Sequence, residues 1–99
     1  MEHMAELLSE TEISEALNKL PYWQRAGDAL ERTAELADFP QAIAVVNRVA
    51  EIAEGVNHHP DMDIRWRTVT FRCSTHSAGG ITAKDVSLAE QIDSTIDAL

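Results

Sequence analysis

The stretch MDIRWRTVTFRC, residues 62–73, decides the fold. Met62, Ile64 and Trp66 are apolar at even positions, whereas Val69, Phe71 and Cys73 are apolar at odd ones. Side chains alternate strictly between the two faces of a strand, so one unbroken strand cannot hold both sets on one side. A tight turn or bulge near Arg67–Thr68 must therefore divide two antiparallel strands.

Upstream, ALERTAELA (29–37) also alternates. Leu30, Ala34 and Leu36 share one face, with Arg32 as the exception, and Glu31, Thr33 and Glu35 share the other. That is a half-buried strand with a wet outer face. YWQRA (22–26) before it is strand-like, and Gly27–Asp28 is a turn signal.

Three segments carry the helical period instead. SETEISEALNKLP (9–21) has Ser9 and Glu12 spaced as a capping box, Ile13, Leu17 and Leu20 as a stripe, and Pro21 as the stop. DFPQAIAVVNRVAEIAEG (38–55) has Asp38 as the cap, Pro40 in the tolerant first turn and Gly55 placed to end it. Ile43, Val45, Val46, Val49, Ala50, Ile52 and Ala53 cover more than one stripe of it, so the sheet would take one side and a second subunit the other. ITAKDVSLAEQIDSTIDAL (81–99) begins at Thr82 and buries Leu88, Ala89, Ile92, Ile96 and Leu99, with Val86 at the edge. The order α-β-β-α-β-β-α gives an α+β fold, an open four-stranded antiparallel sheet with its helices packed on one face. Residues 1–8 read as a frayed N-terminal extension and 9–99 as one domain.

At 99 residues the chain buries only about two-thirds of its unfolded surface, so oligomerisation is a natural way to gain core. The net charge of −9 and the lack of any Lys/Arg run argue against direct nucleic-acid or anionic-membrane binding. The opening MEHMAELLSE lacks the basic and apolar regions of a signal peptide. No apolar stretch approaches the roughly 20 residues of a membrane span, and a cytoplasmic protein is expected. Cys73 is the sole cysteine and alternates with Val69 and Phe71, as a small core residue does.

Chemistry centres on EGVNHHPDMD, residues 54–63. Pro60 biases His59 away from helical dihedrals, so His58 and His59 stand in a rigid, irregular connection. His76 falls at the end of the fourth strand, in STHSAGG. Histidine exchanges protons near neutral pH, which suits general acid–base work. From the residues alone, a solvated polar loop is the stronger reading of the pair, and a solvated helix-end charge that of Glu54. Three histidines match the ligand count of catalytic zinc, but HExxH, HxH and CxxC spacings are all missing, so no metal is expected. No GxSxG occurs, and Ala78-Gly79-Gly80 is too short a signal for a phosphate loop. His3 belongs to the N-terminal extension and to none of these readings.

Glu54-x-x-x-His58-His59-Pro60, then Trp66, Ser74-Thr75-His76, and Asp85 in the last helix together resemble the signature of the pterin-4a-carbinolamine dehydratases. Trp23 after the first helix and DFPQAIAVVNRVAEIAE are similar to that family's segments in order and spacing, over residues 10–99. The resemblance implies a four-stranded antiparallel sheet under three helices. It also implies a hydro-lyase that removes the 4a-hydroxyl of 4a-hydroxytetrahydrobiopterin, without metal or organic cofactor.

On the same basis His58, His59 and His76 are catalytic. His59 or His76 would act as the acid toward the hydroxyl, and His58 would position the ring or exchange a proton with it. Asn57, Pro60, Ser74, Thr75, Ser77 and Trp23 are expected to contact the reduced pterin, and Glu54 and Asp85 to support the histidines. The chain departs from animal members at Asn57, where they carry Asp, and at Met62, where an aromatic residue is common. The resemblance implies a homodimer or homotetramer. Because animal members also bind a transcription factor's dimerisation region, a protein-binding role for the apolar central helix is the alternative.

Overall fold

The computed structural model describes residues 6–99. The elements run α1 (Glu10–Asn18), β1 (Gln24–Ala26), β2 (Ala29–Glu35), α2 (Phe39–Val56), β3 (Asp61–Arg65), β4 (Thr68–Cys73) and α3 (Ala83–Asp97). The sheet order is β1-β2-β4-β3, with every neighbouring pair antiparallel.

The change of period at 62–73 resolves into a hairpin whose loop is Trp66–Arg67, because Arg65 pairs with Thr68. Met62 then lies opposite Phe71 and Ile64 opposite Val69, so even and odd residues share a face. The turn comes one residue earlier than the sequence suggests. Trp66 takes its left-handed position (φ 55°) and is exposed, not on the inner face. Its ring is covered instead by the Arg67 guanidinium, 4.9 Å from the centroid.

Leu30, Arg32 and Ala34 of β2 face Cys73, Phe71 and Val69 of β4, and all six are buried. Arg32 is thus no exception to the inward face. Its guanidinium is ion-paired with Asp93 of α3 and lies 4.5 Å from the Tyr22 ring centroid. β1 is shorter than YWQRA because the Trp23 amide donates to the Leu20 carbonyl (3.0 Å), which commits that backbone to a turn.

The helix caps form as their residues dictate. Glu12 and Ser9 make a reciprocal capping box, Asp38 accepts from the Gln41 amide (2.8 Å), and Thr82 with Asp85 makes a second capping box. α1 ends at Asn18, two residues before Leu20. Gly55 does not end α2. The helix runs to Val56, and Asn57 adopts the left-handed conformation (φ 51°, ψ 45°) while the His58 amide donates to the Ala53 carbonyl (3.0 Å). Asn tolerates that conformation better than other side chains, so Gly was permitted at the exit but not required.

Ala42, Val45, Val49 and Ala53 form the buried stripe of α2, and Leu88, Ala89 and Ile92 that of α3. These stripes cover the inner face of the sheet, together with Ile13 and Leu20. Leu99 is exposed rather than part of the α3 core stripe.

Most of the expected N-terminal extension, including His3, lies outside the described residues. Within it, residues 6–8 are tied down. The Leu8 amide donates to the Ile81 carbonyl (2.9 Å), and Leu7 bridges to Thr82. A Cβ on Gly80 would come within 3.0 Å of the Leu7 side chain, so a larger residue there would require that side chain to shift. No helix of the described residues is long and apolar enough to cross a membrane.

Candidate active site

The exit of α2, the ends of β3 and β4 and the first turn of α3 converge on one polar cleft of about 510 Å³. Asn57, His58, His59 and Pro60 line it from one side. Ser74, Thr75, His76 and Ser77 line it from the other. The left-handed Asn57 lets the backbone leave the helix abruptly, and Pro60 stiffens the approach to β3.

The adjacent histidines go to different partners. His58 is largely buried, and its Nε2 lies 2.6 Å from Oδ1 of the fully buried Asp85. His59 is exposed, and its Nε2 lies 2.7 Å from Glu54 Oε1. Each imidazole is thereby oriented by its own carboxylate. His76 is exposed in the loop that closes where Thr75 and Gly80 bridge, and no side-chain partner is described for it. Among the described residues no group of three His, Cys, Asp or Glu side chains is arranged to hold a metal ion.

Asp85 stands on the same helical stripe as Leu88, Ala89 and Ile92, an otherwise apolar row. An unsatisfied carboxylate there would carry a heavy desolvation penalty. It is met by three partners. The Thr75 hydroxyl (2.8 Å) and the Thr82 amide (2.9 Å) donate to Oδ2, and His58 sits at Oδ1.

Thr75 is an expected pterin contact. The residue lies at the cleft, but its hydroxyl is turned inward to Asp85 and Thr82, because the buried carboxylate needs that donor. Ser74 likewise spends its hydroxyl on the Asp28 carbonyl (2.8 Å), tying the cleft to the β1–β2 turn. Trp23 is not brought to the cleft. It is buried in the core, and its indole N–H donates to Asp93 (2.8 Å).

Asp61 and Lys84 line the cleft and were not anticipated from the sequence, and Thr82 stands behind it. For Thr82 the available signal was a polar residue in line with the α3 row 85, 88, 89 and 92, which is otherwise mostly apolar, whereas no sequence signal marks Asp61 or Lys84. Cys73 borders the site from the core side. Burial, with lesser contributions from Asp85 and Asp61, pushes its thiol up to about 12. A second concavity of about 460 Å³ lies on the open face of the sheet, and no histidine lines it.

Comparison with known proteins identifies the family and matches the fold. Residues 6–95 match the family model described as pterin 4 alpha carbinolamine dehydratase. A relative from Nocardia farcinica, assigned by name to pterin-4-alpha-carbinolamine dehydratase, is 61% identical over 89% of this chain and 93% of its own. One of the same name from Roseiflexus castenholzii is 54% identical over 94% of this chain and 100% of its own. A crystal structure from Brucella melitensis, titled transcriptional coactivator/pterin dehydratase, superposes with a TM-score of 0.87 at 31% identity. It covers 90% of this chain and 97% of that one.

Proposed function

Given that the chain belongs to the pterin-4a-carbinolamine dehydratase family, a family of hydro-lyases, we propose that it removes water from 4a-hydroxytetrahydrobiopterin by histidine acid–base catalysis. One observation carries the reading. Three histidines meet at a single polar cleft, and two of them are held by carboxylates.

The reaction breaks the C4a–O bond, and the hydroxyl leaves with the bonding pair and gains a proton as water. The ring nitrogen beside carbon 4a gives up its proton and closes the double bond of the quinonoid dihydropterin. One acid and one base are thus required. With Asp85 accepting the Nε2–H of His58, the free lone pair of that ring is on Nδ1, which suits it as the base toward the ring nitrogen. His59 and His76, both exposed at the cleft, are the acids within reach of the hydroxyl. Glu54 steadies the protonated His59. Asn57, Pro60 and Ser77 flank the pterin.

Such an activity serves the recycling of a tetrahydropterin used by an aromatic amino-acid hydroxylase, in the cytoplasm. Stopped-flow measurement of 4a-hydroxytetrahydropterin dehydration tests it. His58→Ala, His59→Ala and His76→Ala should each slow the reaction by about 10²-fold, the usual scale of general acid–base loss. Rates equal to the uncatalysed reaction in the unaltered protein would defeat the proposal.

A second reading, partner capture by α2, is favoured by the half-buried Ile43, Val46 and Ile52 and the exposed Val56 on that helix. The same residues support a homodimer or homotetramer. A folded protein with tight partner capture and no dehydratase activity would favour capture over catalysis.

A further inference from the structure

We propose that Thr75 is a positioning residue, whose buried hydroxyl sets the proton order of the Asp85–His58 pair. The proposal rests on the dehydratase reading only for its effect on rate. Thr75, Thr82 and Asp85 are 3%, 0% and 0% exposed, and their polar atoms take partners from within the fold.

Thr82 Oγ1 accepts the Lys84 amide (3.2 Å) and lies 2.7 Å from Thr75 Oγ1. Thr75 Oγ1 in turn lies 2.8 Å from Asp85 Oδ2. A hydroxyl has one proton to give. If Thr75 gave its proton to Thr82, its lone pairs would face the carboxylate across that short distance. The satisfied order is therefore Lys84 amide to Thr82, Thr82 hydroxyl to Thr75, and Thr75 hydroxyl to Asp85.

The Thr82 amide also donates to Oδ2 (2.9 Å), which leaves Oδ1 for His58. Every group around Asp85 then donates to it, and the proton shared with His58 belongs on Nε2. A neutral ring is then held in one tautomer, with its lone pair on Nδ1. Loss of a partner that positions a working histidine costs part of that histidine's own acid–base contribution of about 10²–10⁴-fold.

Thr75→Val keeps the shape and deletes the donor, and Thr75→Ser restores it. Kinetics of 4a-hydroxytetrahydropterin dehydration and ¹⁵N NMR of the His58 ring are read on the same samples. Thr75→Val should lower kcat about 10-fold with KM changed by less than about twofold, and move the His58 ¹⁵N shifts toward a mixture of tautomers. Thr75→Ser should restore both. Thr75→Ala removes the same donor with a smaller side chain and should move the same resonances in the same direction, even if Thr75→Val does not fold. His58 shifts unchanged in the folded variants, or a rise in KM with kcat intact, would overturn the proposal. If the unaltered protein lacks dehydratase activity, the functional reading fails while the ¹⁵N shifts still decide the role of Thr75.

Discussion

The His58 imidazole meets the Asp85 carboxylate at 2.6 Å, joining the exit of α2 to the first turn of α3 across 27 positions of sequence. Asp85→Asn keeps an acceptor oxygen for Thr75 and Thr82 but turns an NH₂ toward His58. Nε2 must then accept, and the ring flips to the Nδ1–H tautomer with no free lone pair toward the cleft. We predict a fall in kcat of about 10²–10⁴-fold with the fold intact, as seen when the orienting carboxylate of a catalytic histidine is made neutral. Dehydration kinetics with circular dichroism on the same samples check it.

Glu54 and His59 form the opposite kind of pair, exposed by 81% and 55% of their side chains. Such surface contacts contribute about 0–1 kcal/mol, so Glu54→Gln should leave the melting temperature nearly unchanged. If His59 is the acid, the same substitution should still reduce kcat. A melting curve beside a rate measurement separates the two effects.

Asn57 is where the chain departs from the acidic residue of animal members, and the structure gives it a backbone duty (φ 51°). Asn57→Ala should destabilise the fold by about 1–2 kcal/mol, the left-handed penalty for an ordinary side chain. At roughly 4–8 °C per kcal/mol for a domain this size, the shift is easily read by calorimetry. Asn57→Gly and Asn57→Asp should fold normally. Asp at this position tests whether a carboxylate beside the histidines changes the rate.

Arg32 and Asp93 pair with only 9% and 17% of their side chains exposed, and Trp23 donates to the same carboxylate. Removing one partner strands the other, so Arg32→Ala or Asp93→Ala should each destabilise by about 3–5 kcal/mol. A paired apolar replacement, Arg32→Met with Asp93→Leu, should recover most of that loss. Urea unfolding of the three variants decides it.

The Cys73 thiol, pushed up to about 12 by burial, stays protonated at neutral pH. It should react with a thiol reagent at pH 8 only as fast as the protein opens. Its unfolded-state pKa lies near 8.5, below the folded one, so the protonated form favours the native state. That contribution is complete below about pH 8.5 and is lost as pH rises toward 12, at up to about 1.4 kcal/mol per pH unit. Cys73→Ala should flatten the alkaline part of the stability curve.

Much of this fold was legible because it depends on local rules. The change of period at 62–73 required a hairpin, and the spacing of Ser9 with Glu12 and the position of Asp38 marked helix starts that form as read. The helix exit was less legible. Gly55 and Asn57 can both adopt the left-handed conformation, and only the backbone path toward β3 selects Asn57.

The sequence by itself determined the four strands, the three capped helices and the motif that sets three histidines near strand and helix ends. Each of these follows from neighbours within a few residues, or from a pattern carried along the chain. Only the tertiary structure decided which histidine takes which carboxylate, that Thr75 turns inward, and that Arg32 belongs to the core. Those outcomes depend on how α3 lies over the sheet. That placement brings Asp85 and Asp93 beside residues 27 and 61 positions away, and a buried charge must take the partner that burial brings within reach.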